Sequence, residues 1–127
     1  MNPILVIDDS AMMRKIILRL LAQAGVALSS VLEAVDGADA LALLPDCTPA
    51  LILCDINMPN ISGLELLARI RNEQLALNVP IVMITTENSE AQVRQAIALG
   101  ARGYIRKPFT VEDIKSTIVP LLDPTEN

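Results

Sequence analysis

Five side chains in this 127-residue chain have types that together can hold a divalent cation and an anion: Asp8, Asp9, Asp55, Thr85 and Lys107. Each stands where an apolar run stops. "PILVI" (3–7) ends in Asp8 and Asp9, "LILC" (51–54) in Asp55, and "PIVMI" (80–84) in Thr85 and Thr86; "GYI" (103–105) runs into Arg106, Lys107 and Pro108. A carboxylate beside a dry core is costly unless something compensates it. Two unit charges about 5 Å apart repel by roughly 3 kcal/mol at an effective dielectric near 20. Three acids brought together therefore call for a raised pKa on one of them or for a divalent cation. Oxygen donors without sulfur or imidazole favour Mg²⁺. Magnesium and Lys107 would offset three negative charges and leave a nearly neutral site that can receive an anion. Any one of these residues alone reads more simply as a solvated loop acid, a helix cap or a surface lysine. The specific signal is their joint placement.

For that placement to matter, the runs must be neighbouring strands. They are continuously apolar, as expected of strands covered on both faces. "SVLEAV" (30–35) is a weaker fifth strand. Helical patterns lie between them. From Ala11 to Ala24, the set Met12, Met13, Ile16, Ile17, Leu20, Leu21 and Ala24 reads as a core-facing stripe, capped by Ser10 and ended by Gly25. Arg14, Lys15 and Arg19 read as its solvated face. Asp36 caps a short helix with Leu41 and Leu44, stopped by Pro45. Ser62 and Glu65 form a capping box ahead of Leu64, Leu67 and Ile70. Ser89 caps a helix with Val93, Ala96 and Ile97 that Gly100 ends. Thr110 caps a last helix carrying Ile114, Ile118 and Leu121, with Glu112 and Asp113 in its first turn.

The order is strand–helix five times over: an α/β, (βα)5 flavodoxin-like, doubly wound parallel sheet with strand order 2-1-3-4-5. All C-terminal strand ends then share one edge, where such sheets build their sites. Strand 1 neighbours strand 3, so Asp8 and Asp9 come beside Asp55. The chain reads as a single domain over 1–127, with a core of about 3–122 and a frayed tail "DPTEN".

Composition excludes other chemistries. There is no histidine, hence no imidazole base, Ser-His pair or His-ligated zinc. Cys47 and Cys54 lack metal-ligand spacing, and Cys54 reads as a small buried residue. With 52% hydrophobic but 2% aromatic residues, the core must be aliphatic. The net charge of −5 argues against general nucleic-acid or anionic-membrane binding. No apolar run approaches the roughly 18 residues of a membrane span, and "MNPILVIDDS" is no signal peptide. A cytoplasmic protein is expected.

"VIDDSAMMRKIILRLL", "CDINMPNISGLELL", "VMITTE" and "YIRKPF" closely resemble motifs of the receiver domain of two-component response regulators, over nearly the whole chain. The stand-alone, CheY-like chemotaxis kind is the nearest, on the expectation that no output domain follows. The resemblance implies that Asp55 is the phosphoacceptor and that Mg²⁺ is held by Asp9 directly, by Asp8 largely through water, by Asp55 and by the backbone carbonyl of Asn57. Thr85 and Lys107 would hold phosphoryl oxygens, and the Lys107–Pro108 bond would be cis. Asn57 and Glu87 would tune dephosphorylation. Thr85 and Tyr104 would form a switch, Tyr104 turning inward on phosphorylation and remodelling the face of the fourth helix, fifth strand and fifth helix (about 89–99, 103–105 and 111–122). By residue type alone, Tyr104 is an edge-strand aromatic that packs. The donor would be a histidine kinase or histidine phosphotransfer protein, and the target a protein docking on that α4-β5-α5 face. A monomer is expected, catalysing only its own phosphorylation and dephosphorylation. Two positions depart from the family pattern. Thr86 stands where many relatives carry a smaller residue, and Arg106 adds a charge on the strand face opposite Lys107.

Alternative readings remain at this level. The protein could bind a flagellar motor switch, relay phosphate to a histidine phosphotransfer protein, act as a phosphate sink, or regulate an enzyme in trans. A phosphorylation-independent binding module would keep the fold without the chemistry. An Asp-nucleophile phosphatase of the haloacid dehalogenase type also places an acid after a strand, but expects a second Asp two residues on, where this chain has Asn57.

Overall fold

The computed structural model describes residues 2–27, 31–76, 78–85 and 90–122. Strands β1 (Ile4–Ile7), β2 (Val31–Ala34), β3 (Leu51–Asp55), β4 (Ile81–Thr85) and β5 (Gly103–Arg106) alternate with helices α1 (Ala11–Gln23), α2 (Gly37–Leu43), α3 (Gly63–Asn72), α4 (Glu90–Ala98) and α5 (Val111–Thr117), followed by a short α6 (Val119–Leu122). All neighbouring strands are parallel, in the order β2-β1-β3-β4-β5, as expected.

The two-residue period of the strands sends alternate side chains to opposite faces. Leu5, Ile7, Ile52, Cys54, Ile81 and Met83 pack on one side with Ala40 of α2, Leu66, Leu67 and Ile70 of α3 and Ala96 of α4. Ile4, Val6, Leu51, Leu53, Val82 and Ile84 pack on the other with Ile17 and Leu21 of α1 and Ile114 of α5, joined by Ile118. The three inner strands are covered on both faces, which is why their sequences are apolar throughout.

Side-chain caps start the helices where the sequence places them. Ser10, Asp36, Ser62 and Thr110 each accept from the backbone N–H three residues on, and Ser62–Glu65 and Thr110–Asp113 are reciprocal boxes. The expected Ser89 cap lies outside the described residues, as do Ser30, Thr86, Glu87 and the tail 123–127. Gly25 and Gly100 take positive φ (95° and 100°) just past α1 and α4.

Several expectations are corrected. Met12 is 74% exposed and Ile16 is 39% exposed, so the buried stripe of α1 is Ile17 and Leu21, with Met13, Leu18 and Leu20 partly covered. A helix on an open sheet buries a stripe narrower than the apolar set the sequence offers there. Ile97 of α4 is likewise exposed. Helix α1 ends at Gln23, with Ala24 as its cap. Helix α2 ends at Leu43, and Leu44–Asp46 tighten into a 3-10 turn containing Pro45. The single helix expected over 111–122 breaks at Ile118, because Pro120 has no N–H to donate back to Ser116.

Candidate functional site

The site is the C-terminal edge of β1, β3, β4 and β5. Asp55 and Thr85 are the last residues of their strands, so the ladders extend through them. Ile56 donates its N–H to the Ile84 carbonyl at 2.9 Å, and Lys107 donates its own to the Thr85 carbonyl at 2.7 Å. These bonds tie the ends of β3, β4 and β5 together at the functional positions.

Asp8, Asp55 and Thr85 are buried, whereas Asp9 is exposed. Asp8, Asp9 and Asp55 each offer a carboxylate oxygen within 4.8 Å of the others. Lys107 reaches in from the β5 end, its Nζ 3.6 Å from Asp8 Oδ2 and 3.5 Å from Asp55 Oδ1. Those are ion-pair separations, long for a hydrogen bond. Asp8 Oδ2 and Asp55 Oδ1 have no hydrogen-bond partner among the described residues, although both are buried. Buried carboxylate oxygens are normally satisfied. Two orphans facing one lysine, in an all-oxygen donor set, fit a hard divalent cation. The Lys107–Pro108 peptide is cis, as expected.

Burial is the largest influence on Asp55 and pushes its carboxyl above the ordinary value. The Lys107 ammonium pulls it down, the Asp8 charge raises it, and the Asn57 backbone N–H lowers it. The net rise marks an ionisable group whose charge is undercompensated by the protein alone. Behind it, burial and then the Asp55 and Asp8 charges push the Cys54 thiol far up, so Cys54 packs as a neutral side chain with Sγ 3.3 Å from the Asp55 carbonyl.

Two neighbours of the site were not legible as such. Arg14 does not lie on a solvated face: its side chain is 12% exposed, Nη1 donates to the Asp8 carbonyl at 2.6 Å, and Nε donates to Glu33 Oε1 at 2.9 Å. Its place four residues after a cap, one turn behind the acids, was the available signal. Gly63 starts α3 where a Cβ would run into the Asp55 carbonyl oxygen and the Ile56 Cα. Its N–H donates to the Ile56 carbonyl at 2.8 Å.

Of the remaining expected residues, Asn57 is exposed beside Asp55, and Glu87 lies outside the described residues. Tyr104 is 39% exposed on β5. The Arg106 Cζ lies over its ring, 5.8 Å from the centroid, so both project from the face opposite Ile105. Tyr104 borders two surface grooves. One, of about 250 Å³, includes Glu90, Arg94 and Arg106, and the other, of about 610 Å³, includes Ile97, Arg102 and Leu121. Among the described residues, no helix is long and apolar enough to cross a membrane.

Comparison with known proteins bears on what this edge does. Residues 4–119 match the family described as response regulator receiver domain. The chain is 38% identical over 120 residues to chemotaxis protein CheY1 of Helicobacter pylori, covering 94% of this chain and 95% of that protein. It is 40% identical to the chemotaxis protein CheY homolog of Campylobacter jejuni, covering 94% and 91%. The structure of chemotaxis protein CheY4 of Vibrio cholerae superposes with a TM-score of 0.83 at 34% identity, covering 96% of this chain and 99% of that one.

Proposed function

Because this chain belongs to the response regulator receiver domain family, we propose that it is a single-domain response regulator of the chemotaxis type, phosphorylated on Asp55. Receiver domains of this type are signalling proteins rather than classical enzymes, which counts against the phosphatase reading. The observation that carries the proposal is the pair of buried oxygens of Asp8 and Asp55 that have no hydrogen-bond partner among the described residues, facing Lys107 beside exposed Asp9. A pocket arranged only for stability would satisfy or omit them.

In the proposed reaction an ionised Asp55 oxygen attacks phosphorus in line. The P–N bond of a phosphohistidine breaks as the P–O bond of an acyl phosphate forms, and the imidazole leaves with its electron pair. The donor histidine belongs to a partner, a histidine kinase or a histidine phosphotransfer protein, consistent with a chain that has none. Phosphoryl transfer passes through a loose transition state, so positioning and charge stabilisation do most of the catalysis. Lys107 pairs with one phosphoryl oxygen, and the Thr85 hydroxyl donates to another. Asp9, Asp55 and the Asn57 carbonyl, with Asp8 largely through water, would hold Mg²⁺, which would supply the divalent charge that makes the acidic pocket receptive to a phosphoryl group. Water later cleaves the acyl phosphate, with Asn57 and Glu87 tuning the rate. Thr85, drawn to the phosphoryl group, and Tyr104 then bias a two-state equilibrium that remodels the α4-β5-α5 face for a downstream protein. The protein acts in this reading as a cytoplasmic monomer built of one receiver domain.

Intact-protein mass spectrometry after incubation with acetyl phosphate tests the proposal. One phosphoryl adduct is expected with Mg²⁺, none with EDTA, and none in Asp55→Asn. Full labelling of Asp55→Asn under native conditions would overturn the site assignment. No adduct despite demonstrated Mg²⁺ binding would favour a phosphorylation-independent module or an obligatory partner kinase.

A further inference from the structure

Arg14 is placed to hold the acidic edge in register. Its guanidinium spans two elements, with Nη1 on the Asp8 carbonyl at the end of β1 (2.6 Å) and Nε on Glu33 of β2 (2.9 Å). The Asp8 carbonyl belongs to the planar peptide unit that also carries the Asp9 N–H and Cα. Fixing that oxygen fixes the direction in which Asp9 leaves the strand. The rest of the turn is held independently: Asp8 N–H donates to the Ala34 carbonyl at 3.2 Å, Ser10 N–H donates to Asp8 Oδ1 at 2.9 Å, and Ser10 caps α1. With Oδ1 so engaged, Oδ2 is left facing Lys107. Glu33 in turn balances the guanidinium charge, so that a cation close to the acids orients them without fully discharging them.

We infer that Arg14, braced by Glu33, is a positioning residue that sets the divalent-cation affinity of the Asp8–Asp9–Asp55 cluster through the Asp8 carbonyl. The inference rests on the reading of those acids as a Mg²⁺ site. Partners that orient ligands without touching the metal ordinarily change metal affinity by about 10–100-fold when removed. Arginine is suited to the task because its planar fork meets two acceptors at fixed angles, whereas lysine supplies the same charge from one point.

The test is isothermal titration of the full chain with MgCl2 alone, together with thermal unfolding in EDTA. Arg14→Lys keeps the charge and removes the fork; Glu33→Gln keeps the guanidinium and removes its brace. A dissociation constant for Mg²⁺ raised about tenfold in Arg14→Lys, and to a lesser degree in Glu33→Gln, is expected, with melting temperatures in EDTA close to wild type. Mg²⁺ affinity within about twofold of wild type in both variants would overturn the inference, as would a lowered melting temperature with unchanged affinity, the mark of a purely structural latch. Wild-type protein that binds no Mg²⁺ at millimolar concentration overturns the cation reading itself, and the inference with it.

Discussion

Asp55 is buried with its charge undercompensated, and that has a thermodynamic sign. Its carboxyl titrates higher in the folded chain than in the unfolded one. Between the two values the native state binds more protons, so this group's contribution to stability falls as pH rises through that window and stays reduced above it. Asn cannot titrate. In EDTA at neutral pH, Asp55→Asn is therefore expected to be more stable than wild type. The advantage should vanish below the ordinary carboxylate range. Urea unfolding of both proteins across pH checks it, and equal midpoints at pH 7 would contradict the account. The same reasoning applies to kinetics. Lys107 lowers the Asp55 pKa, so in Lys107→Met the pH at which acetyl phosphate labelling falls off should move upward, alongside a lower rate at every pH.

Elements matter here through the closeness of their ends. Helix α3 begins against the end of β3 because residue 63 has no Cβ to collide with the backbone of Asp55 and Ile56. Rigid backbone cannot swing aside as a side chain can. Gly63→Ala should cost about 1–3 kcal/mol and reduce Mg²⁺-dependent labelling of Asp55, since the carbonyl that must retreat belongs to the proposed acceptor residue. Gly37 makes a useful control, because the atoms nearest a Cβ there belong to the Ile61 side chain, at 3.0 Å, rather than to backbone. An unchanged unfolding midpoint in Gly63→Ala would show that α3 can withdraw without disturbing β3.

Across the whole molecule, the acidic pocket and the groove-bearing face of α4, β5 and α5 are joined through β4 and β5, paired from Val82↔Gly103 to Thr85↔Arg106. Tyr104 is the chain's one tyrosine and there is no tryptophan, so its emission reports on that face alone. The proposed coupling predicts a change in Tyr104 fluorescence when acetyl phosphate and Mg²⁺ are added together, absent with EDTA and absent in Thr85→Ala. Arg106 over the ring favours the outward position seen here by about 0.5–1 kcal/mol, the usual worth of an exposed cation–π contact. Arg106→Ala should accordingly enlarge the response.

How much of this was readable beforehand depends on the range of the interaction responsible. The alternation of apolar runs and capped helices, the order of the elements and the convergence of Asp8, Asp9, Asp55, Thr85 and Lys107 on one edge follow from the sequence, because two-residue and 3.6-residue periods, caps and parallel-strand connections are local rules that compose into a topology. The tertiary structure decided what depends on distance between remote segments. Met12 and Ile16 are exposed because the packing of α1 on the sheet, through Ile17 and Leu21, determines which stripe is buried, rather than their own hydrophobicity. Arg14 turns from solvent to the Asp8 carbonyl because Glu33, nineteen residues on, stands on the neighbouring strand. Gly63 matters only because β3 ends beneath it. Two carboxylate oxygens lack hydrogen bonds among the described residues because the folded edge turns them toward Lys107 at ion-pair distance. Which acids meet was written in the spacing of the strands; how tightly they are held, and by what, was settled only by packing.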